Sequence, residues 1–205
     1  VIPLPGWDTE AGWEQNPLPF SQMPHLVNPD TGFIVTANAQ PLATGEGPFL
    51  GVDWIDGYRH ARIAEVLDTR YDWDIASVQK VQTDQLTVLW CEVRETVLAV
   101  PAQTESTRQG LALLKAWDGR VSADSPAAAV FELLFAEILR RVVSAKAPHT
   151  LEWALGKSAT PLIARSTLSL RLGGYMSRLV RQQPDGWFDA GWPHELADAL
   201  AKVIE

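Results

Sequence analysis

Two residues of this 205-residue sequence, Asn38 and Arg59, have the type and setting that catalytic chemistry asks for. Asn38 closes the run Phe33-Ile34-Val35-Thr36-Ala37-Asn38, in which alternation would put Ile34, Thr36 and Asn38 on one face. An asparagine amide at such a place is a neutral hydrogen-bond donor. It suits an oxyanion hole, because it favours developing negative charge without a fixed charge that binds the ground state equally well. One such donor is typically worth ~3 kcal/mol. Arg59 falls in the first turn of the helix that Tyr58 opens, where a cation opposes the helix dipole. A nearby carboxylate or carbonyl would account for it. Each residue also has a plainer reading, Asn38 as a turn cap and Arg59 as half of a surface salt bridge.

Other chemistries find little footing. The histidines, His25, His60, His149 and His194, are scattered, and none is read as half of a zinc site. Gly45-Glu46-Gly47 lacks the third glycine, the lysine and the preceding strand of a phosphate loop, and no Gly-x-Ser-x-Gly elbow occurs. Lys and Arg total 17 against 25 Asp and Glu, a net charge of −8, which argues against a nucleic-acid partner. The lone Cys91 excludes an internal disulfide framework, and its apolar neighbours mark it as inert core. No apolar run approaches the ~18 residues of a membrane span. The sequence holds no self-sufficient active site.

The elements that must position Asn38 and Arg59 divide at residue 57. Residues 1–57 read as a proline-rich segment holding more than half of the 14 prolines. It is expected to be irregular apart from one or two β-strands, chiefly Phe33–Ala37 between turn signals. Residues 58–205 read as a helical domain, so the fold class is mainly α. Helices are expected over Tyr58–Leu67, then from an N-cap at Asp74 along the stripe Val78, Val81, Leu86, Leu89, Val93 and Val97 to Pro101. Ser106–Trp117 follows, stopped by Asp118-Gly119. Ser125-Pro126 then opens a helix with two apolar rows, Val130-Leu134-Ile138-Val142 and Phe131-Phe135-Leu139-Val143, wide enough to pack on two sides. Thr160–Leu172, Met176–Gln182 and Pro193–Ile204 complete the set. Arg165, Arg171, Arg178 and Arg181 read as a solvated face, and Trp54 as a candidate pocket wall.

These residues, taken in order, resemble the penicillin amidase (penicillin acylase) family of N-terminal-nucleophile hydrolases, specifically an inner part of its β subunit. Pro5-Gly6-Trp7, Pro19-Phe20 and Met23-Pro24 are similar to the family's lead-in. Asn28-Pro29 through Asn38 resembles its Asn-Pro-x-x-Gly-aromatic-Ile strand closing on Ala-Asn. Tyr58-Arg59-x-x-Arg62-Ile63 resembles its arginine helix, and Val81-Gln82-Thr83-Asp84 its Gln-x-Asp helix. Trp117-Asp118-Gly119-Arg120, Asp124-Ser125 and Trp187-Phe188-Asp189 follow in the family order.

The resemblance implies a fragment of an αββα hydrolase that cleaves a linear N-acyl amide. It assigns Asn38 to the oxyanion hole and Arg59 to active-site support. Many members have a second asparagine where this chain has Ala39. The family nucleophile is an N-terminal serine, whereas this chain opens on Val1 and contains no Ser-Asn cleavage motif. The chain alone is therefore expected to be inactive, its partners being the rest of the β subunit, the α subunit and a small N-acyl substrate. The acyl group stays open among phenylacetyl, glutaryl, fatty acyl and acyl-homoserine lactone types. No catalytic cofactor is expected. A structural calcium in the full-length enzyme would draw on Glu46 or Asp53. Location in the periplasm or medium is expected by resemblance, and self-association through the edges of the Phe33–Ala37 strand is expected for the fragment. A rival reading makes the chain a non-catalytic helical scaffold or subunit-interaction module.

Overall fold

The computed structural model describes residues 5–10, 17–52, 54–155 and 172–205. Helix α1 spans Tyr58–Leu67, α2 Ile75–Gln82, α3 Val88–Leu98, α4 Glu105–Lys115, α5 Pro126–Lys146, α6 Gly173–Gln182 and α7 Trp192–Ile204. Short helical turns lie at Phe20–Gln22 and along Pro148–Thr150 and Leu151–Ala154. Of the expected helix over Thr160–Leu172, all but Leu172 lies outside the described residues, as do Arg165, Arg171 and Asp53. The chain is mainly α, as read.

Local chemistry sets the helix starts. Ahead of α2, Asp74 Oδ1 accepts from Ser77 N at 2.8 Å while Asp74 N donates to Ser77 Oγ at 2.9 Å, a reciprocal capping box. Ser125 Oγ accepts from Ala128 N at 3.2 Å, and Pro126 opens α5 where no N–H is needed. Both of the α5 rows point inward: Val130, Phe131, Leu134, Ile138, Leu139 and Val142 are buried, with Phe135 and Val143 packed against them.

The core lies among α3–α7. Trp90, Trp117 and Phe131 form a triangle with every pair of ring centroids 5.3 Å apart. Helices α4 and α7 approach closely at Gly110, where a Cβ would lie 2.7 Å from Leu200 Cδ1. Helix α1 has no fully buried residue.

Three expectations are corrected. The stripe from Val78 to Val97 is two helices, because residues 83–87 leave the helix to pair with a distant loop. Leu86 bridges Arg120 in antiparallel fashion, Thr87 N donates to Gly119 O at 2.9 Å, and Val121 N donates to Gln85 O at 2.9 Å. Gly119 makes this approach at φ +82°, with Trp90 Cδ1 3.0 Å from where a Cβ would sit. The expected strand Phe33–Ala37 is absent, and no named strand occurs among the described residues. A strand needs a neighbour's backbone, and here the chain turns on itself at Ala37 and Asn38 instead. Cys91 is exposed rather than core, because α3 buries Trp90, Val93 and Val97 on its other side.

Arg178 and Arg181 are exposed, in keeping with a solvated face. His194 Nδ1 stands 3.3 Å from Asp198 Oδ2 one helical turn on, a pairing that the reading of scattered histidines passed over. No helix among the described residues is long and apolar enough to cross a membrane.

Candidate active site

The segment before Asn38 keeps its alternation although it has no partner strand. Ile34, Thr36 and Asn38 are exposed, while Phe33, Val35 and Ala37 are partly covered. Ala39 N then donates to Thr36 O at 3.0 Å and closes a four-residue turn. Its two central residues both have positive φ, Ala37 at 48° and Asn38 at 59°, the pattern of a type I′ turn. Asparagine tolerates this region, but alanine does so at a cost of roughly 1–2 kcal/mol. The surrounding contacts must therefore hold Ala37 there, and such strain is commonly kept at functional sites.

Arg59 supplies those contacts. Its Nη2 donates to the Asn38 Oδ1 at 2.7 Å and to the Ala37 carbonyl at 3.1 Å. From the other side, Ile55 N donates to the Asn38 carbonyl at 3.2 Å. A guanidinium can only donate, so the contact orients the Asn38 amide with its oxygen toward Arg59. Among the described residues nothing accepts from Asn38 Nδ2, which is left as an open, neutral donor on an exposed residue. Asn38 makes no bond to the Asn28–Gly32 turn, which closes on its own through Gly32 N to Pro29 O at 2.9 Å.

Behind Arg59 lies a second polar group that sequence reasoning missed. Tyr58 Oη donates to Glu92 Oε2 at 2.7 Å, and the fully buried Ser177 Oγ donates to the same oxygen. Burial works to raise the Glu92 carboxyl, but donation from Ser177 and Tyr58 and the charge of Arg181 outweigh it, so the group sits below its ordinary range. Tyr58 moves far upward, first through burial and then through its bond to Glu92. Asp56 is also raised, chiefly by burial, against donation from Tyr58 N and the charge of Arg59. No spacing could reveal these partners, since Tyr58 and Glu92 are 34 positions apart.

A groove of about 710 Å³ borders α1. Arg59, Ile63, Val66, Val81, Leu86 and Leu89 are among the residues that line it. Arg62 and Asp84 line it too, with Arg62 donating from Nε to Asp84 Oδ1 at 3.2 Å and from Nη2 to Oδ2 at 2.7 Å. Trp54 Nε1 donates to Gly51 O at 3.2 Å, and the ring lines a separate loop pocket of about 450 Å³. Glu46 is exposed in that loop. Among the described residues no group of three or more His, Cys, Asp or Glu side chains converges. Ser77 and Ser125 cap helices and Ser177 serves Glu92, which commits these three hydroxyls to structure.

The family model for penicillin amidase matches residues 1–205. The penicillin acylase 2 proenzyme of Pseudomonas sp. (strain SE83) is 32% identical over 209 residues, covering 100% of this chain and 26% of that protein. Acyl-homoserine lactone acylase QuiP of Pseudomonas putida is 32% identical over 155 residues, 69% of this chain and 19% of its own length. The Pseudomonas aeruginosa protein of the same name is 27% identical over 156 residues, 69% of this chain and 18% of its own. The chain therefore spans about a quarter or less of the length of these curated relatives.

Proposed function

The chain belongs to the penicillin amidase family, and from that premise we propose that it is the part of a larger acylase that supplies the oxyanion donor for hydrolysis of a linear N-acyl amide. Asn38 Nδ2 donates to the oxygen of the substrate carbonyl as attack turns it into an alkoxide. Arg59 holds the amide in the orientation that makes this donation available. The nucleophile is an N-terminal serine supplied from outside this chain, whose own α-amine takes the proton. The chain alone is inactive. The rest of the β subunit and the α subunit complete the site, with residues 58–205 as the helical frame and residues 1–57 as the arm that carries Asn38.

The single observation that carries this reading is the pairing of Asn38 Oδ1 with Arg59 at 2.7 Å, which leaves Nδ2 open on an exposed residue. A structural cap would have spent that donor on a neighbouring carbonyl. The relatives' printed names, a penicillin acylase and acyl-homoserine lactone acylases, support acylase chemistry, and by family the parent works in the periplasm or outside the cell.

The test uses the parent polypeptide as wild type and as Asn38→Ala, with self-cleavage confirmed by mass. Turnover of a panel of chromogenic acyl anilides should fall ~10²-fold or more in kcat. Unchanged turnover in a correctly processed variant would leave the chain as a helical scaffold.

A further inference from the structure

Helix α1 has no fully buried residue, so hydrophobic packing alone does not fix where its first turn sits. Its N-cap, Gly57, offers no side chain either. Two polar tethers hold it: Arg62 to Asp84 in mid-helix, and Tyr58 to Glu92 at the start. The second tether is anchored deeply. Glu92 Oε2 takes hydrogen bonds from Tyr58 on α1 and Ser177 on α6, so three helices meet at one oxygen. Ser177 is 0% exposed between Met176 and the buried Leu179–Val180 pair, which leaves α6 little freedom to shift.

Gly173 closes the assembly from below. A Cβ there would lie 2.5 Å from Asp56 Oδ2 and 3.3 Å from Tyr58 Cε2. The absence of a side chain lets Asp56 and the Tyr58 ring rest directly on the start of α6. Arg59 is the next residue after Tyr58, and its guanidinium is what orients Asn38. Hydrogen bonds fade over a few tenths of an ångström beyond 3.2 Å, so a displacement of about 1 Å at Tyr58 would break the hold on the amide.

We propose that Glu92 is a positioning residue for acyl transfer: by gripping Tyr58 against Ser177 it sets the first turn of α1, and through Arg59 it sets the Asn38 donor. Glu92 touches neither substrate nor reacting atoms. The proposal deepens the functional reading above and rests on it.

The test is a set of variants in the self-cleaved parent enzyme. Glu92→Ala should lower kcat about 10-fold while KM stays within about twofold, since misplacement of roughly 1 Å costs transition-state contacts more than ground-state ones. Glu92→Gln keeps an acceptor for Tyr58 and should recover to within about threefold of wild type. Tyr58→Phe removes one hydroxyl, should match Glu92→Ala, and carries the same test if Glu92→Ala fails to process. In an Asn38→Ala background, Glu92→Ala should cause no further fall, because the donor it positions is gone. Full additivity with Asn38→Ala, or unchanged kcat in processed Glu92→Ala and Tyr58→Phe, overturns the proposal while the oxyanion reading stands. Unchanged kcat in Asn38→Ala alone overturns that reading itself.

Discussion

Arg59 Nη2 lies 2.7 Å from Asn38 Oδ1 and 3.1 Å from the Ala37 carbonyl, so one guanidinium nitrogen grips both the side chain and the backbone of a left-handed turn. The two roles support each other. Holding the Ala37 carbonyl offsets the strain of an alanine at φ 48°, and that turn brings Asn38 within reach of the same nitrogen. The misplaced charge at the start of α1 thereby has a partner in the turn, which the helix dipole alone would not provide.

Asn38→Asp separates a donor from a shape. The carboxylate is nearly the same size, keeps the bond to Arg59 and strengthens it through charge. It has no N–H to donate, and it sets a negative charge where another would develop. The parent enzyme should lose ~10²-fold or more in kcat with its thermal midpoint unchanged or raised. Activity near wild type would show that the turn matters only as structure.

Arg59→Lys keeps the charge and loses the planar fork. A lysine ammonium is a compact point donor on a flexible stem, and it cannot hold the Asn38 oxygen and the Ala37 carbonyl with the same rigidity. Steady-state kinetics of the parent should show kcat lower by roughly 10-fold, with less effect than Asn38→Ala. Equal losses in the two variants would indicate that Arg59 acts on the substrate directly.

Much of the scaffold was legible because its signals are local. Asp74 and Ser125 cap from within three residues, and the rows of α5 repeat within one helix. The alternation that exposes Asn38 was legible for the same reason. The break at residues 83–87 was not, because Gly119 and Arg120 hold it from more than 30 positions away. Ala37 was unreadable in another sense: glycine or asparagine marks a left-handed turn in sequence, whereas alanine does so only under tertiary constraint. Nothing local in the sequence singles out Glu92, because its partners Tyr58 and Ser177 lie 34 and 85 positions away.

Gly110→Ala reverses the usual rule for helices. On an exposed face the change should stabilise by up to about 1 kcal/mol. Here the new Cβ would meet Leu200 Cδ1 at 2.7 Å, Leu200 Cγ at 2.8 Å and Ile204 Cγ1 at 3.2 Å. Leu200 is fully buried, so α4 and α7 must separate, at a typical cost of about 1–3 kcal/mol. Urea denaturation should show a net loss of roughly 1–2 kcal/mol, and a stabilised variant would mean that the contact at Gly110 is looser than described.

Glu137 ties α5 to α7 and makes the fold sensitive to acid. It accepts from Arg140 at 2.6 and 2.7 Å, from Arg141 at 2.9 Å and from Lys202 at 3.0 Å. Arg140 first, with Lys202 and Arg141, holds its carboxyl down at about 2 against the opposing effect of burial. The folded value lies below the unfolded one of roughly 4.3. Its contribution is therefore complete above that range and is lost as pH falls toward 2. Solvent around the Arg140 and Lys202 side chains screens these pairs, so the contribution is on the order of 1–2 kcal/mol. Glu137→Gln should lower stability at pH 7 and flatten its decline between roughly pH 4.5 and 2. Parallel acid-denaturation curves for the two proteins would place the acid sensitivity elsewhere, with Asp84 beside Arg62 as the next group to vary, since Arg62 lowers that carboxyl as well.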